Sequence, residues 1–149
     1  MAKYRKLGWK GVYSIDQLDQ IPVSKKMAFI LNLDPSYKPG SHWVAVYIDA
    51  QHDKEINYYD SFGDEPPKRL LKDIKVIVDK LNPNVYLKFK VNKVKHQSVK
   101  SSNCGFFAMK FIIERLSGEP FKNCSGFSDA IRGERNIEKF KKKLGFGYI

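Results

Sequence analysis

The sequence predicts an α+β domain in which a central sheet of mixed and antiparallel strands packs on one buried helix. Three observations carry this. β-Branched and aromatic runs cluster in the first half of the chain, and two of them flank a short polar turn. Leu70, Ile74, Ile77 and Leu81 recur at helical spacing between a Pro-Pro pair and an Asn-Pro-Asn stop. Residues 104–113 are apolar nearly all round, the pattern of a helix in the middle of a domain. Strands and helices are segregated rather than alternating, which favours α+β.

Element by element, residues 8–20 read as an N-terminal arm with a short helical turn, and residues 28–33 as a compact, buried strand. Pro35, Pro39 and Gly40 make residues 34–41 a loop. Residues 42–49 follow as a strand, with His42, Val44, Val46 and Ile48 on one face and Trp43, Ala45 and Tyr47 on the other. After a turn at 51–54, residues 56–61 form the partner strand of a hairpin that ends at Phe62-Gly63. Pro66 and Pro67 suit the first turn of a helix over 67–81. Val85, Leu87, Phe89 and Val91 alternate with Tyr86, Lys88, Lys90 and Asn92, a half-buried strand with a basic outer face. Residues 95–103 are polar and loop-like, and Gly118 sits where the buried helix needs a C-terminal cap. The tail from residue 125 reads as one or two short polar helices.

The chain of 149 residues suits one domain with one core, so 1–149 is read as a single unit. The start lacks the apolar stretch of a signal peptide, and no segment approaches the roughly 20 apolar residues of a membrane helix, so a protein of the cytosol, not secreted and not in a membrane, is expected. Two cysteines, Cys104 and Cys124, cannot build a disulfide scaffold. With three histidines beside them a structural zinc site is not expected, and no metal or organic cofactor is required. The net charge of +11 favours a polyanionic neighbour, although solvated lysine faces give the same count.

Cys104 falls at the predicted N-terminus of the buried helix. There, unpaired N–H groups and the helix dipole favour a thiolate, the reactive form of cysteine. Gly105 beside it leaves room for a substrate backbone. A nucleophilic cysteine needs a base, and the base needs a partner that sets its tautomer. His42 opens one strand and Asp60 ends its hairpin neighbour, so the pairing brings them to one rim of the sheet. Gln97, on the loop before Cys104, offers an amide donor for an oxyanion, with the Cys104 N–H as the second. Each residue alone has a plainer reading: an inert buried thiol, a strand-end histidine, a turn aspartate, a solvated glutamine. His52 lies in the hairpin turn, and His96 has no evident carboxylate partner.

Together, His42-Trp43, Asp60 after Tyr58-Tyr59, Gln97 and Cys104-Gly105 resemble the adenain-type and ubiquitin-like-protein-processing cysteine proteases, whose order of His, acid, Gln and Cys is permuted relative to papain. The stretches 97–99 and 103–106 are especially similar to adenovirus maturation proteases, and Gly11-Val12-Tyr13 with Asp16 and Leu18 to the entry segment of viral members. The resemblance implies that His42, Asp60, Gln97 and Cys104 are catalytic. It implies that Trp43 covers a narrow channel for small residues, with Trp9 as the opposite wall, and that cleavage falls after Gly. Asp60 departs from the glutamate of adenovirus members and matches the deconjugating branch, while the short chain favours the viral one. The expected function is a monomeric capsid-maturation protease of an adenovirus-, virophage- or polinton-like element, acting on capsid precursor polypeptides in the virion and the infected cell. The alternatives are a deconjugating peptidase for a ubiquitin-like modifier and an inactive nucleic-acid-binding scaffold. Like the adenovirus enzymes, the chain is expected to bind DNA without sequence preference, through Lys88, Lys90, Lys93, Lys95 and Lys141 to Lys143. Those enzymes also take a peptide activator linked through a cysteine, a use for which Cys124 has no support.

Overall fold

A computed structural model describes residues 2–33, 42–81, 87–92, 104–124, 137 and 139. In chain order the elements are α1 (Ala2–Arg5), β1 (Trp9–Ser14), a 3-10 helix (Ile15–Gln20), β2 (Lys26–Asn32), β3 (Trp43–Asp49), β4 (Glu55–Tyr59), α2 (Lys68–Leu81), β5 (Lys88–Val91), α3 (Cys104–Leu116) and α4 (Phe121–Cys124). The strands form one mixed sheet in the order β1-β2-β3-β4-β5. The outer pairs β1–β2 and β4–β5 are parallel, and the inner pairs β2–β3 and β3–β4 antiparallel.

The alternation in β3 divides the core into two layers. Ala45 and Tyr47, with Ala28, Ile30 and Tyr59, face α3 and bury Phe107, Ala108, Phe111 and Ile112. Val44, Val46 and Ile48, with Met27, Phe29 and Leu31, face α2 and bury Leu70, Ile74 and Ile77. The long apolar run in β2 is thus explained: the strand is covered on both faces and flanked on both edges. α2 begins just after Pro66-Pro67, as its spacing predicts. α3 buries one face, which carries Phe107, Ala108, Phe111, Ile112, Arg115 and Leu116, and leaves Gly105, Phe106 and Met109 half-buried on the other. It stops where Gly118 adopts φ of 102° and Glu119 N–H bonds back to Glu114 at 3.0 Å.

The structure corrects two expectations. The predicted N-terminal arm contains an edge strand, β1. Gly11 sits within it at φ of 112°, and the pairing with β2 shifts register between Trp9 and Val12, so the sequence lacks a clean alternation there. The basic outer face of β5 is not simply solvated. Lys88 is exposed, but Lys90 pairs with Glu55 at 2.5 Å, Asn92 is buried, and Phe89, expected inside, is exposed at the sheet edge. Residues 34–41, 82–86 and 95–103 and the tail helices with Lys141 to Lys143 lie outside the described residues. From the tail, Ile137 is buried in the α3-side core. Among the described residues, no helix is long and apolar enough to cross a membrane.

Candidate active site

His42 immediately precedes β3, and its carbonyl accepts from Leu33 N–H at 3.0 Å, which extends the β2–β3 pairing to the strand end. Asp60 immediately follows β4. Ala45 lies opposite Tyr59 in the antiparallel β3–β4 pair, so the start of one strand and the end of the other share one rim of the sheet. At that rim His42 Nε2 is 2.9 Å from Asp60 Oδ1, with the carboxylate 1% and the imidazole 19% exposed.

A local turn shapes the acid. Gly63 N–H donates to the Asp60 carbonyl at 2.8 Å, and Gly63 takes φ of 74°, a conformation that glycine adopts without strain. Phe62 N–H donates to Asp60 Oδ1 at 2.8 Å, so the carboxylate folds back over its own turn. The Phe62 ring lies 5.0 Å from the imidazole and shields the pair from water. From outside the turn, Asn92 holds the main chain of Asp60 through two hydrogen bonds. Tyr58 and Tyr59 precede the aspartate. Burial, and behind it the Asp60 charge, raises both phenols far above their usual range, so they stay neutral beside the carboxylate.

An ionised carboxylate only accepts hydrogen bonds, so the short contact puts the proton of a neutral His42 on Nε2 and the basic lone pair on Nδ1. The arrangement can therefore orient a base whose working nitrogen is Nδ1. Cys104 opens α3, which runs against the same region of the sheet: a Cβ built on Gly105 would lie 3.9 Å from Trp43 Cδ1. An apolar groove of about 340 Å³ is lined by Val12, Ile30, Trp43, Gly105, Phe106 and Met109. Trp43 and Gly105 thus share one groove wall. Trp9 is instead 7% exposed in the core with Ala28 and Ile30, because its place in β1 points it beneath α3, and Val12 supplies the groove residue from that strand. Gln97 and His96 lie outside the described residues. His52 is exposed in the hairpin turn, where its N–H bonds Asp49. Cys124 is buried, its thiol directed to the Glu119 carbonyl, and burial together with the Glu114 charge pushes it up to about 12. A thiol so placed does not suit a linkage to an activating peptide. Among the described residues, no cluster of His, Cys, Asp and Glu could hold a metal ion.

Sequence reasoning missed Asn92, which it grouped with the basic face of β5, and Phe62, which it read as the end of a hairpin. A signal for Asn92 did exist: a neutral amide closing a strand that otherwise presents lysines on that face.

Comparison with known proteins places the chain among proteins named as cysteine or thiol proteases. A protein of Acanthamoeba polyphaga mimivirus named as a thiol protease is 39% identical over 99 residues, covering 65% of this chain and 32% of its own length. A cysteine protease of African swine fever virus is 29% identical over 119 residues, covering 77% of this chain and 42% of its own. The chain belongs to the Ulp1 protease family, whose C-terminal catalytic domain matches residues 17–146. A crystal structure of the African swine fever virus protease superposes with a TM-score of 0.62 at 18% identity, over 82% of this chain and 54% of that one. The SUMO protease Ulp1 gives 0.51 at 23% identity, over 76% and 50%. These two likenesses establish the fold, the α+β architecture expected from the sequence. The chain spans 32% to 42% of the length of these viral relatives.

Proposed function

We propose that the chain acts as a cysteine endopeptidase on viral precursor proteins, with Cys104 as nucleophile, His42 as base, Asp60 as its orienting partner and Gln97 with the Cys104 N–H as oxyanion donors. The observation that carries this reading is the 2.9 Å contact between His42 and Asp60 at the rim where α3 begins with Cys104. In the reaction His42 Nδ1 takes the thiol proton, and the thiolate attacks the scissile carbonyl. The oxyanion is held by the two N–H donors, and His42 returns the proton to the leaving amine. Water, deprotonated by His42, then hydrolyses the thioester. The Trp43–Gly105 wall favours a slender chain, which supports cleavage after Gly.

The names of the relatives support a second reading, a peptidase for a ubiquitin-like modifier: the African swine fever virus protein is also named a SUMO-1 cysteine protease. Capsid precursors as the substrates and DNA binding through Lys88, Lys90, Lys93, Lys95 and Lys141 to Lys143 belong to the first reading. Cleavage of a library of Gly-containing peptides by wild type, but not by Cys104→Ala, is the expected result. Cleavage by both proteins would remove Cys104 from the chemistry. Cleavage of a folded modifier precursor alone would select the second reading. With DNA present, stimulation that fades steeply with added salt is expected, and a flat response would exclude the phosphate contacts.

A further inference from the structure

Asn92 follows the last residue of β5 and is 3% exposed. Its side-chain amide grips the main chain of Asp60 on both sides: Oδ1 accepts from Asp60 N–H at 2.9 Å, and Nδ2 donates to the Asp60 carbonyl at 2.6 Å. β4 and β5 run parallel, with Tyr58 opposite Val91 as the last paired position. Asp60 lies beyond that ladder. A primary amide carries a donor and an acceptor side by side, as a peptide unit does, so Asn92 continues the ladder with a side chain where the backbone pairing stops.

Asp60 also bonds within its own turn and to His42. The bonds from Phe62 N–H and Gly63 N–H are internal to the turn and move with it. The bond to His42 is the one whose geometry needs setting. The Asn92 clamp refers the turn to the sheet itself. Both partners are buried, so water does not replace the clamp at low cost.

We infer that Asn92 is a positioning residue of the protease site: by fixing the main chain of Asp60 it fixes the carboxylate on His42 Nε2, and with it the direction of Nδ1. This rests on the reading of His42 and Asp60 as base and orienting partner. A misplacement of about 1 Å at a reacting group costs up to about 10²-fold in rate.

The test compares Asn92→Ala, Asp60→Asn and the double variant for peptide cleavage and for the pH dependence of Cys104 alkylation by iodoacetamide. Rates are normalised to folded protein by circular dichroism. Cys124, buried and pushed up to about 12, stays silent in the alkylation. The expected result is a fall in kcat of about 10- to 10²-fold with KM little changed. The alkylation profile should move to higher pH, because a misdirected imidazolium holds the thiolate less well. The loss should largely vanish in the Asp60→Asn background, since both changes act on one contact. Should Asn92→Ala not fold, Asn92→Asp takes its place. A carboxylic acid reproduces both bonds only while protonated, so its kcat should fall as the pH rises through the titration of that acid. Wild-type kcat and alkylation profile in either folded variant, while Asp60→Asn slows cleavage, would overturn this inference alone. A wild-type rate in Asp60→Asn would overturn the reading beneath it as well.

Discussion

His42 Nε2 and Asp60 Oδ1 meet at 2.9 Å although 18 positions separate them, because the β3–β4 hairpin between them returns the chain to one rim of the sheet. Asp60→Asn keeps the shape and removes the charge. The new amide can present its N–H₂ to the ring, which favours the tautomer with the proton on Nδ1, the wrong nitrogen for a base. We expect kcat to fall by about 10²- to 10⁴-fold, with the protein still folded. Peptide cleavage under saturating substrate checks it. An unchanged kcat would mean that another group orients His42.

Much of this relationship was legible in the sequence. Period-two alternation with a polar turn gives the hairpin, and a hairpin forces His42 and Asp60 towards one end. Helical spacing gives α2, and the apolar run gives α3. What could not be read follows from physics that acts at a distance. β1 is an edge strand with a register shift at a glycine, so it carries no alternation to find. Asn92 looks like one more polar residue on a basic face until β5 is placed beside β4. Trp9 is a core residue rather than a channel wall because the direction of its side chain depends on where β1 docks.

Away from the site, the buried guanidinium of Arg115 gathers a cluster of polar contacts. Nε donates to Asn57 Oδ1 at 2.8 Å, one terminal nitrogen to the Glu119 carbonyl at 2.6 Å, and the other lies 3.1 Å from Asp53. The group also stacks over Tyr47, 4.2 Å from the ring centroid. It therefore bolts the C-terminal end of α3 to the β3–β4 hairpin. Arg115→Ala leaves the buried Asn57 amide without its donor, while Asp53 and Glu119 are exposed and turn to water, and should cost about 1–3 kcal/mol. Arg115→Lys should recover little, because an ammonium cannot reach several acceptors in one plane. Urea unfolding midpoints at neutral pH decide; a loss within about 0.5 kcal/mol, the usual range for surface substitutions, would mean that the cluster is surface decoration.

Asp49 contributes to the acid limb of stability at the hairpin. Burial alone would raise its carboxyl, but the N–H groups of His52, Gln51 and Asp53, with the Lys26 charge behind them, outweigh burial and hold it below the usual range. Two of those bonds are 2.9 Å long. A carboxyl lowered by folding contributes stability that is complete above its unfolded value, about 3.9, and disappears as the pH falls through the folded value. Asp49→Asn should cost about 1 kcal/mol near neutrality, and that deficit should shrink as the pH drops below about 4. Unfolding midpoints between pH 7 and pH 2 test the sign. A deficit that grows on acidification would contradict the assignment.

Gly105 separates folding from function at the helix that carries Cys104. A Cβ there would meet Trp43 Cδ1 at 3.9 Å, an ordinary contact, and Gly105 is not among the glycines with positive φ. The backbone therefore accepts alanine, whose helix propensity exceeds that of glycine by about 1 kcal/mol in a helix interior and by less near a terminus. Gly105→Ala should fold at least as stably as wild type. The added methyl nevertheless enters the groove wall shared with Trp43, where a slender substrate backbone would lie. Peptide cleavage should show a raised KM, with iodoacetamide alkylation of Cys104 unchanged, since that small reagent needs no groove. If cleavage is as fast as in wild type, the glycine is there for packing of α3 on β3 rather than for substrate approach. If stability falls instead, the contact with Trp43 is tighter than its distance implies.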